Sequence, residues 1–448
     1  MKILKDLKEQ FEDAQWAIDP ELALIDTILN KHPELYNLVA EDIVKDKANN
    51  DLGRKDGPTV EQVVRAAIYK ELKGIDYRGL EYAQADSRIC AVFIKLVDRE
   101  PFSFEVLYKY ISKITSQSLT KVMVAINRIA LTEGLEDAEK IRIDTTVVES
   151  NIHYPTNNSL IWDCIKESQR LLSKLDEIEK DGEVRDYTKQ AKRNYFHINV
   201  EKNVEKRKQL FKKQLKILRR SIKQTERVLK RLVEKGKSAT KEEAKHRQML
   251  EELLPKMQQV HSISIRHELY GEQVPNQEKI YSIYEDHTDI IVKGQREVQF
   301  GHKVNLTVGK SALILDCQII SGNPKDTSLY KDPLLHIQQY YETIPRDVAT
   351  DGGFASLDNL KFAKKQGVLN IVFNKIVGSL KNITTSLNME TRLKKWRSGI
   401  EAVISNLKRG FDLFRCEWKS KPHFDAKVLW SVIAYNIRVM TGLFLDRI

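Results

Sequence analysis

An apolar run that stops at a carboxylate constrains this chain more than any other feature of its sequence. In the stretch Val348-Ala-Thr-Asp-Gly-Gly-Phe354, Asp351 is followed by two glycines and then by a segment with helical spacing. A strand that ends in this way in an α/β protein presents its last side chain at the carboxyl edge of the sheet. The run Ile141-Arg-Ile-Asp144 ends in the same way. We therefore expect Asp144 and Asp351 to stand at the ends of two strands.

A third carboxylate, Glu401, lies in an expected helix from Trp396 to Lys408, with Arg397 four residues before it. Taken singly, each acid is weak evidence, because a strand-end Asp often caps a turn and a helical Glu beside basic residues often forms a surface ion pair. Three acids from separated elements can nevertheless converge on divalent metal, because Mg²⁺ prefers carboxylate ligands. Two such ions about 4 Å apart activate an oxygen nucleophile and assist the leaving oxygen in phosphodiester chemistry.

The net charge indicates the class of binding partner more than it indicates the fold. The chain has 448 residues and a net charge of +11, and this excess favours nucleic acid as a partner, ahead of an anionic membrane. No stretch approaches the about 18 to 20 uncharged apolar residues that a membrane span needs. Residues 1–9 are charged and lack the apolar segment of a signal peptide. We therefore expect a cytoplasmic protein of two or three domains.

The first 138 residues have helical spacing and several turn signals. Thr59 and Gln62 form a capping box that opens a helix from Val60 to Leu72, and Gly74 ends this helix. A second helix follows after a short turn, which is the outline of a helix-turn-helix unit. A plain helical bundle explains the same pattern, and the sequence leaves the two interpretations open.

Strand-like patterns begin at Lys140, which places a domain boundary near residue 138. Further strand-like runs are expected at residues 280–284, 289–293, 303–308, 313–320 and 369–373. Antiparallel strands followed by α/β alternation predict a mixed sheet with helices on its faces. The predicted divisions are a helical N-terminal DNA-binding or dimerisation domain (1–138), a catalytic core in two parts (139–158 and 271–448), and a basic helical insertion (159–270).

The order of the three acids along these elements indicates a fold. One acid on the first strand, one on the fourth and one on a late helix is the order found in the ribonuclease H-like fold. We therefore predict an α/β protein with a mixed-sheet, ribonuclease H-like core, an all-α N-terminal domain and a long helical, coiled-coil-like insertion.

The insertion combines a coiled-coil pattern with one-sided charge. Steps of four and three residues, the spacing of a coiled-coil seam, connect Phe211, Leu215, Leu218, Ile222, Thr225, Leu229 and Leu232. Residues 206–241 contain fifteen Lys or Arg and two acids, which favours phosphate binding over an ordinary solvated face. The candidate DNA contacts here are Lys212, Lys213, Arg219 and Arg220. A second chain or an antiparallel return helix can cover the seam, and we favour the return helix.

Five strings in this order are similar to the bacterial insertion-sequence DDE transposases. They are Asp-Thr-Thr-Val-Val-Glu-Ser-Asn-Ile-His-Tyr-Pro-Thr-Asn (144–157), Phe-Gly-His-Lys-Val-Asn-Leu (300–306), Gly-Asn-Pro-Lys-Asp (322–326), Thr-Asp-Gly-Gly-Phe (350–354) and Arg397-x3-Glu401-x6-Lys408. Each string alone is modest, but the ordered set is specific. The similarity extends over about residues 60–445 and is closest to transposases with an R-x3-E-x6-K signature.

The resemblance implies that Asp144, Asp351 and Glu401 are the catalytic acids and hold two Mg²⁺ ions, with Mn²⁺ as a possible substitute. It further implies that Arg397 and Lys408 hold the transferred strand or the target, and we add Lys303 as a candidate DNA contact. The expected partners are the terminal inverted repeats, the target DNA and a second copy of the chain in a homodimer. The family often has Tyr three residues before the arginine, whereas this chain has Lys394, and Trp396 is the nearby aromatic alternative.

The sequence leaves three functions open. The first is a transposase that cleaves transposon ends and transfers the strand into target DNA. The second is a ribonuclease H-like nuclease that cleaves without integration, because both reactions use the same metals. The third is a non-catalytic DNA-binding relic of a transposase, although the chain retains all three acids.

Overall fold

The computed structural model describes residues 19–44, 57–96, 100–179, 184–236, 240–292, 298–376 and 378–447. The N-terminal residues 1–9 and most of residues 49–58, an expected loop, lie outside this part of the chain. The chain divides into two compact units. The first unit comprises residues 1–151 and 291–448, and the second comprises residues 152–290. The domain boundaries expected at residues 138, 158 and 270 stay predictions.

Helices make up most of the described structure. The α-helices are α1 (Pro20–Lys31), α2 (Glu34–Val44), α3 (Val60–Lys73), α4 (Tyr77–Asp86), α5 (Arg88–Phe93), α6 (Phe104–Ile111), α7 (Ser116–Thr132), α8 (Asn157–Glu179), α9 (Thr188–Val200), α10 (Val204–Lys235), α11 (Lys241–Ser264), α12 (Lys331–Tyr341), α13 (Leu357–Lys365), α14 (Leu387–Arg397), α15 (Ile400–Gly410) and α16 (Lys421–Leu445). The strands are β1 (Lys140–Ser150), β2 (Asp289–Ile291), β3 (Gln299–Val308), β4 (Ile314–Ile320), β5 (Asp347–Asp351), β6 (Asn370–Asn374) and β7 (Arg415–Cys416).

The capping box predicted before α3 is confirmed. The Thr59 hydroxyl accepts a hydrogen bond from the amide of Gln62, and the Gln62 side chain accepts one from the amide of Thr59. The helix ends at Gly74, whose backbone is left-handed with φ of 63°. A three-residue turn leads from α3 to α4, and residues 62–72 of α3 are all buried. This geometry suits both a helix-turn-helix unit and a helical bundle, so both interpretations stay open.

One mixed sheet forms the centre of the first unit. The strands β4, β3, β1, β5 and β6 follow one another across it, and in addition β2 pairs with β3 and β7 with β1. The pairs β1–β3 and β3–β4 are antiparallel, whereas β1–β5 and β5–β6 are parallel. The first four residues of both β5 and β6 are buried, as expected for parallel strands covered on both faces. The predicted mixed α/β class is confirmed.

Two segments differ from the sequence expectations. Residues 280–284, predicted as a strand, form bends, and the Ser282 hydroxyl accepts hydrogen bonds from the amides of Tyr284 and Glu285. Such local side-chain bonds compete with strand pairing. The helix expected over residues 327–341 starts as a short 3₁₀ turn, Asp326–Leu329, and becomes α-helical only at Lys331.

The last helix, α16, is the central helix of the first unit. It is long and apolar enough to cross a membrane by length and composition alone, but most of its side chains are buried within the protein. Trp430 is 1% exposed, and α16 packs against α1, α3, α7 and β4. These contacts identify α16 as a core helix.

A buried charged cluster ties α3 to α16. The Glu71 carboxylate lies 2.5 Å from Lys427 Nζ and 3.0 Å from Lys70 Nζ. Burial alone would raise the pKa of Glu71, but the two ammonium groups hold this pKa below its ordinary value. Lys427 also donates to the Phe411 carbonyl and to Ser431. The cluster is therefore a buried hydrogen-bonded network that joins α3 to α16.

The second unit is a bundle of α8, α9, α10 and α11. Its core includes every residue of the predicted seam, all of them buried, from Phe211 to Leu232. The helix that carries the seam, α10, packs against α8, α9 and α11 of the same chain. The seam is therefore covered intramolecularly, by three helices and not by the return helix alone.

Replacing Glu71 with alanine should destabilise the first unit strongly. The substitution leaves Lys70 and Lys427 buried without their counter-charge, and breaking a buried pair in this way costs about 3–5 kcal/mol. The free energy of unfolding, measured by urea denaturation, tests this expectation. Glu41→Ala is the matched control, because Glu41 is exposed on α2, and it should change stability by less than about 0.5 kcal/mol. Equal effects of the two substitutions would contradict the role given to the cluster.

Candidate active site

Strand pairing brings the two predicted strand acids together. β1 and β5 run parallel, with Ile143 opposite Thr350, so Asp144 and Asp351 are the next residues on adjacent strands. Asp351 ends β5, whereas β1 continues beyond Asp144 to Ser150. After Asp351 the chain turns at Gly352, where a Cβ atom would come within 2.6 Å of the carbonyl oxygens of Asn374 and Lys375. The glycine is therefore required for β5 to end beside β6.

One arginine joins all three predicted acids. Arg397 Nη2 donates to Asp144 Oδ2 at 2.6 Å and lies 4.0 Å from Asp351 Oδ1. Arg397 Nη1 donates to Glu401 Oε1 at 3.3 Å. Because the Asp144 and Asp351 oxygens flank the same nitrogen atom, they are no farther apart than the sum of its two distances. The structure thus brings the acids together around the guanidinium of Arg397.

The cluster is buried on one side and open on the other. The Arg397 and Asp144 side chains are 9% and 17% exposed, whereas Asp351 and Glu401 are 46% and 69% exposed. The Nε atom of Arg397 is buried and has no hydrogen-bond partner in the described part of the chain. An accessible carboxylate edge over a buried guanidinium can receive a further cation or a polar ligand from solvent.

A helix break positions Arg397 against Glu401. The continuous helix predicted from Trp396 to Lys408 is wrong, because α14 ends at Arg397 and α15 begins at Ile400. At the break, Arg142 Nη1 donates to the carbonyl of Trp396 at 2.8 Å. A side chain at Gly399 would overlap the Arg142 guanidinium. The buried arginine of β1 and the glycine together therefore set the break.

The ring of Trp396 is covered by two cations of β1. Lys140 Nζ lies 4.4 Å and the Arg142 guanidinium 4.7 Å from the ring centre. These cation–π contacts hold the end of α14 on β1. Because both cations lie over the indole ring, Trp396 is better suited to a structural role than to serve as a free aromatic surface for DNA. Lys394, which stands at the position of the family tyrosine, forms an ion pair with Glu390.

Lys408 lies two helical turns after Glu401, on the same helix. Residues of α15 pack on β1, and Lys408 lines a small apolar cavity with Thr146, Val148 and Ile404. Its ammonium group lies 5.5 Å from the centre of the Phe414 ring. Burial lowers the pKa of Lys408. Lys408 is thus half-buried along the strand that carries Asp144.

Lys303 has a different environment from the one expected of a DNA contact. Its side chain is 5% exposed, and Nζ donates to the carbonyl of Pro324 and to Asp326 Oδ1. Asp326 also lies beside Gly353, where an added Cβ would be 3.1 Å from Asp326 Oδ2. The Lys303–Asp326 pair therefore links β3 to the turn after Asp351, which favours a supporting role for both residues.

Sequence reasoning missed two residues at this site. Arg142 lies at an inward position of β1 and is 5% exposed, and a charged residue inside an apolar strand run was the available signal. Asp326 ends the string Gly-Asn-Pro-Lys-Asp, which supported the resemblance but was given no role. The other predicted DNA contacts, Lys212, Lys213, Arg219 and Arg220, are exposed on α10 in the second unit.

The donor set suits a hard divalent cation. Carboxylate oxygens from Asp144, Asp351 and Glu401 are the ligands that Mg²⁺ and Mn²⁺ prefer. As they stand, no three His, Cys, Asp or Glu side chains in the described ranges are arranged as a metal-binding group, and the guanidinium of Arg397 lies among the three acids. A metal ion and Arg397 would therefore compete for the same carboxylates.

Comparison with known proteins gives one family match. No curated protein and no solved structure matches the chain significantly. Residues 282–437 match the family model described as a transposase DDE domain. The matched residues include Asp351, Arg397 and Glu401, whereas Asp144 precedes them and reaches the site through the pairing of β1 with β5. Over residues 282–437 the chain is therefore similar to a transposase DDE domain.

Proposed function

We propose that this chain is the transposase of a bacterial insertion sequence, which cleaves the transposon ends and transfers the strand into target DNA. The observation that carries the proposal is the meeting of Asp144, Asp351 and Glu401 around Arg397. Acids from two central strands and a late helix form the site, within a chain that is similar to a transposase DDE domain over residues 282–437. The proposal places the protein in the cytoplasm, where the chromosome is accessible.

The sheet supports a ribonuclease H-like core. Its central order is β4-β3-β1-β5-β6, with antiparallel pairing on one side of β1 and parallel pairing on the other. Three strands joined in antiparallel order and followed by two parallel strands are the arrangement expected for that fold. In this arrangement Asp144 lies on the central strand and Asp351 on its parallel neighbour, which is where the proposed chemistry requires them.

Asp144, Asp351 and Glu401 would hold the divalent ions. Bound there, Mg²⁺ or Mn²⁺ supplies activation of an oxygen nucleophile and neutralisation of charge at phosphorus and at the leaving oxygen. Asp144 is fixed by the β1–β3 and β1–β5 pairings, and Glu401 by the helix break. The rigid strands therefore supply the positioning that phosphoryl transfer needs.

The basic residues orient the nucleic acid. Arg397 is held beside the acids by α14, and its guanidinium would bind the oxygens of a backbone phosphate in a bidentate manner. Lys408 lies about 10 Å along α15 from Glu401, a reach that suits the next phosphates of the same strand. Synapsis of two transposon ends makes a homodimer the expected assembly.

Two other functions use the same site. A nuclease that cleaves without integration needs the same acids, and strand-transfer products in the reaction distinguish it from a transposase. A DNA-binding relic would bind DNA without cleavage. The retention and convergence of all three acids favour an active enzyme over the relic.

Neutral isosteres of the acids should abolish cleavage. Asp144→Asn, Asp351→Asn and Glu401→Gln each remove a charged ligand while keeping side-chain size, and we expect cleavage of an end-containing duplex with Mg²⁺ to fall on the order of 10³-fold or more. DNA binding should persist in an electrophoretic mobility-shift assay. Asp358→Asn is the matched control, because Asp358 is exposed on α13 and pairs with Lys331. A variant of the three that cleaves as well as this control would lose its place in the site.

Removal of Arg397 should make stability dependent on metal. In Arg397→Gln the three carboxylates lose their counter-cation, so the melting temperature should fall without divalent ions and rise with Mg²⁺ by at least about 2 °C more than in the unsubstituted protein. Differential scanning fluorimetry at low and saturating Mg²⁺ measures both shifts. Lys395→Gln, an exposed position on the same helix, is the control. A Mg²⁺ response no larger than that of the control would contradict competition between Arg397 and metal.

A further inference from the structure

The exposed face of α10 carries cations of one sign over most of its length. Between residues 212 and 230, each exposed position is Lys or Arg except Glu226. We call this surface the α10 cationic face, and it consists of Lys212, Lys213, Lys216, Arg219, Arg220, Lys223, Arg227 and Lys230. At 100° per residue these side chains fall within an arc of about 120°. The opposite side of α10 is buried in the bundle.

These eight cations have no partners in the part of the chain that the structure describes. None of them forms an ion pair or a hydrogen bond with another described residue, and Glu226, the acid on this face, accepts from Gln258. The neighbouring helices behave differently. Arg170 pairs with Glu167 and Lys174 with Glu177 on α8, and Arg247 pairs with Glu251 on α11. Local charge pairing is therefore absent on the α10 cationic face and present beside it.

The stability of the bundle does not explain why the α10 cationic face carries charges of one sign. Like charges at i,i+4, such as Lys212 with Lys216 and Lys223 with Arg227, destabilise a helix by a few tenths of a kcal/mol per pair. An ordinary solvated face mixes signs and avoids this cost. An unpaired row of cations is complementary to an external polyanion, which releases counterions when it binds.

We propose that the α10 cationic face binds the phosphate backbone of duplex DNA without regard to sequence. From Lys212 to Lys230 the face extends about 27 Å, and duplex DNA presents one charge per about 1.7 Å of its axis. The face exposes no Asn, Gln, Ser or Thr between these residues, so it supplies affinity and not base recognition. The choice of DNA as the polyanion rests on the proposed function.

The test compares two triple variants of the full-length protein. The first replaces Lys216, Lys223 and Lys230 with Gln, and the second replaces Lys361, Lys364 and Lys365, which are exposed on α13. Both change the net charge equally and leave buried residues untouched, so both should keep the circular dichroism spectrum and the melting temperature. Fluorescence anisotropy then measures affinity for two 30-base-pair duplexes of different sequence, and for an RNA duplex, at several salt concentrations.

The α10 triple variant should bind both DNA duplexes at least about tenfold more weakly at 0.1 M salt, with a salt dependence reduced by about 0.9 log unit per lost contact. The α13 triple variant should bind like the unsubstituted protein. Equal weakening in both variants, or an unchanged salt slope in the α10 variant, would overturn the proposal, as would a loss confined to the RNA duplex. Because the assay measures binding and not cleavage, its result can be interpreted even if the catalytic proposal fails.

Discussion

The guanidinium of Arg397 is the interaction on which the candidate site depends. Three charged carboxylates that lie close together repel one another, and a cation between them reduces this repulsion. Arg397 supplies that cation from a buried position, and its contacts with Asp144, Asp351 and Glu401 join two strands and a helix. A cation that reaches the open edge of the cluster acts on the same carboxylates.

The helix break after Arg397 holds this part of the chain against β1. In one continuous helix, Arg397 and Glu401 would simply be neighbours one turn apart, with nothing to fix them over β1. The Arg142 guanidinium lies over the ring of Trp396 and donates a hydrogen bond to the Trp396 carbonyl. Gly399 leaves room for this side chain. An arginine of the central strand thus places both the counter-cation and the third acid.

Much of the fold was predictable because its signals are local. Thr59 and Gln62 mark a helix start by their side chains, and the apolar run before Asp351 marks a strand end. The helix break was not predictable, because it depends on Arg142, which is more than 250 residues away in the chain. The burial of Lys303 was not predictable for the same reason, since its partner Asp326 belongs to a different element. The strand predicted at residues 280–284 was wrong, because hydrogen bonds to Ser282 stabilise a turn there.

A crystal structure with Mn²⁺, analysed by anomalous scattering, would show whether the three acids hold metal. We expect Mn²⁺ peaks bound by carboxylate oxygens of Asp144, Asp351 and Glu401, with the guanidinium of Arg397 turned away from at least one of them. Manganese bound elsewhere in the chain, with Arg397 still paired to all three acids, would contradict the account. The three carboxylates would then form a structural ion cluster and not a catalytic site.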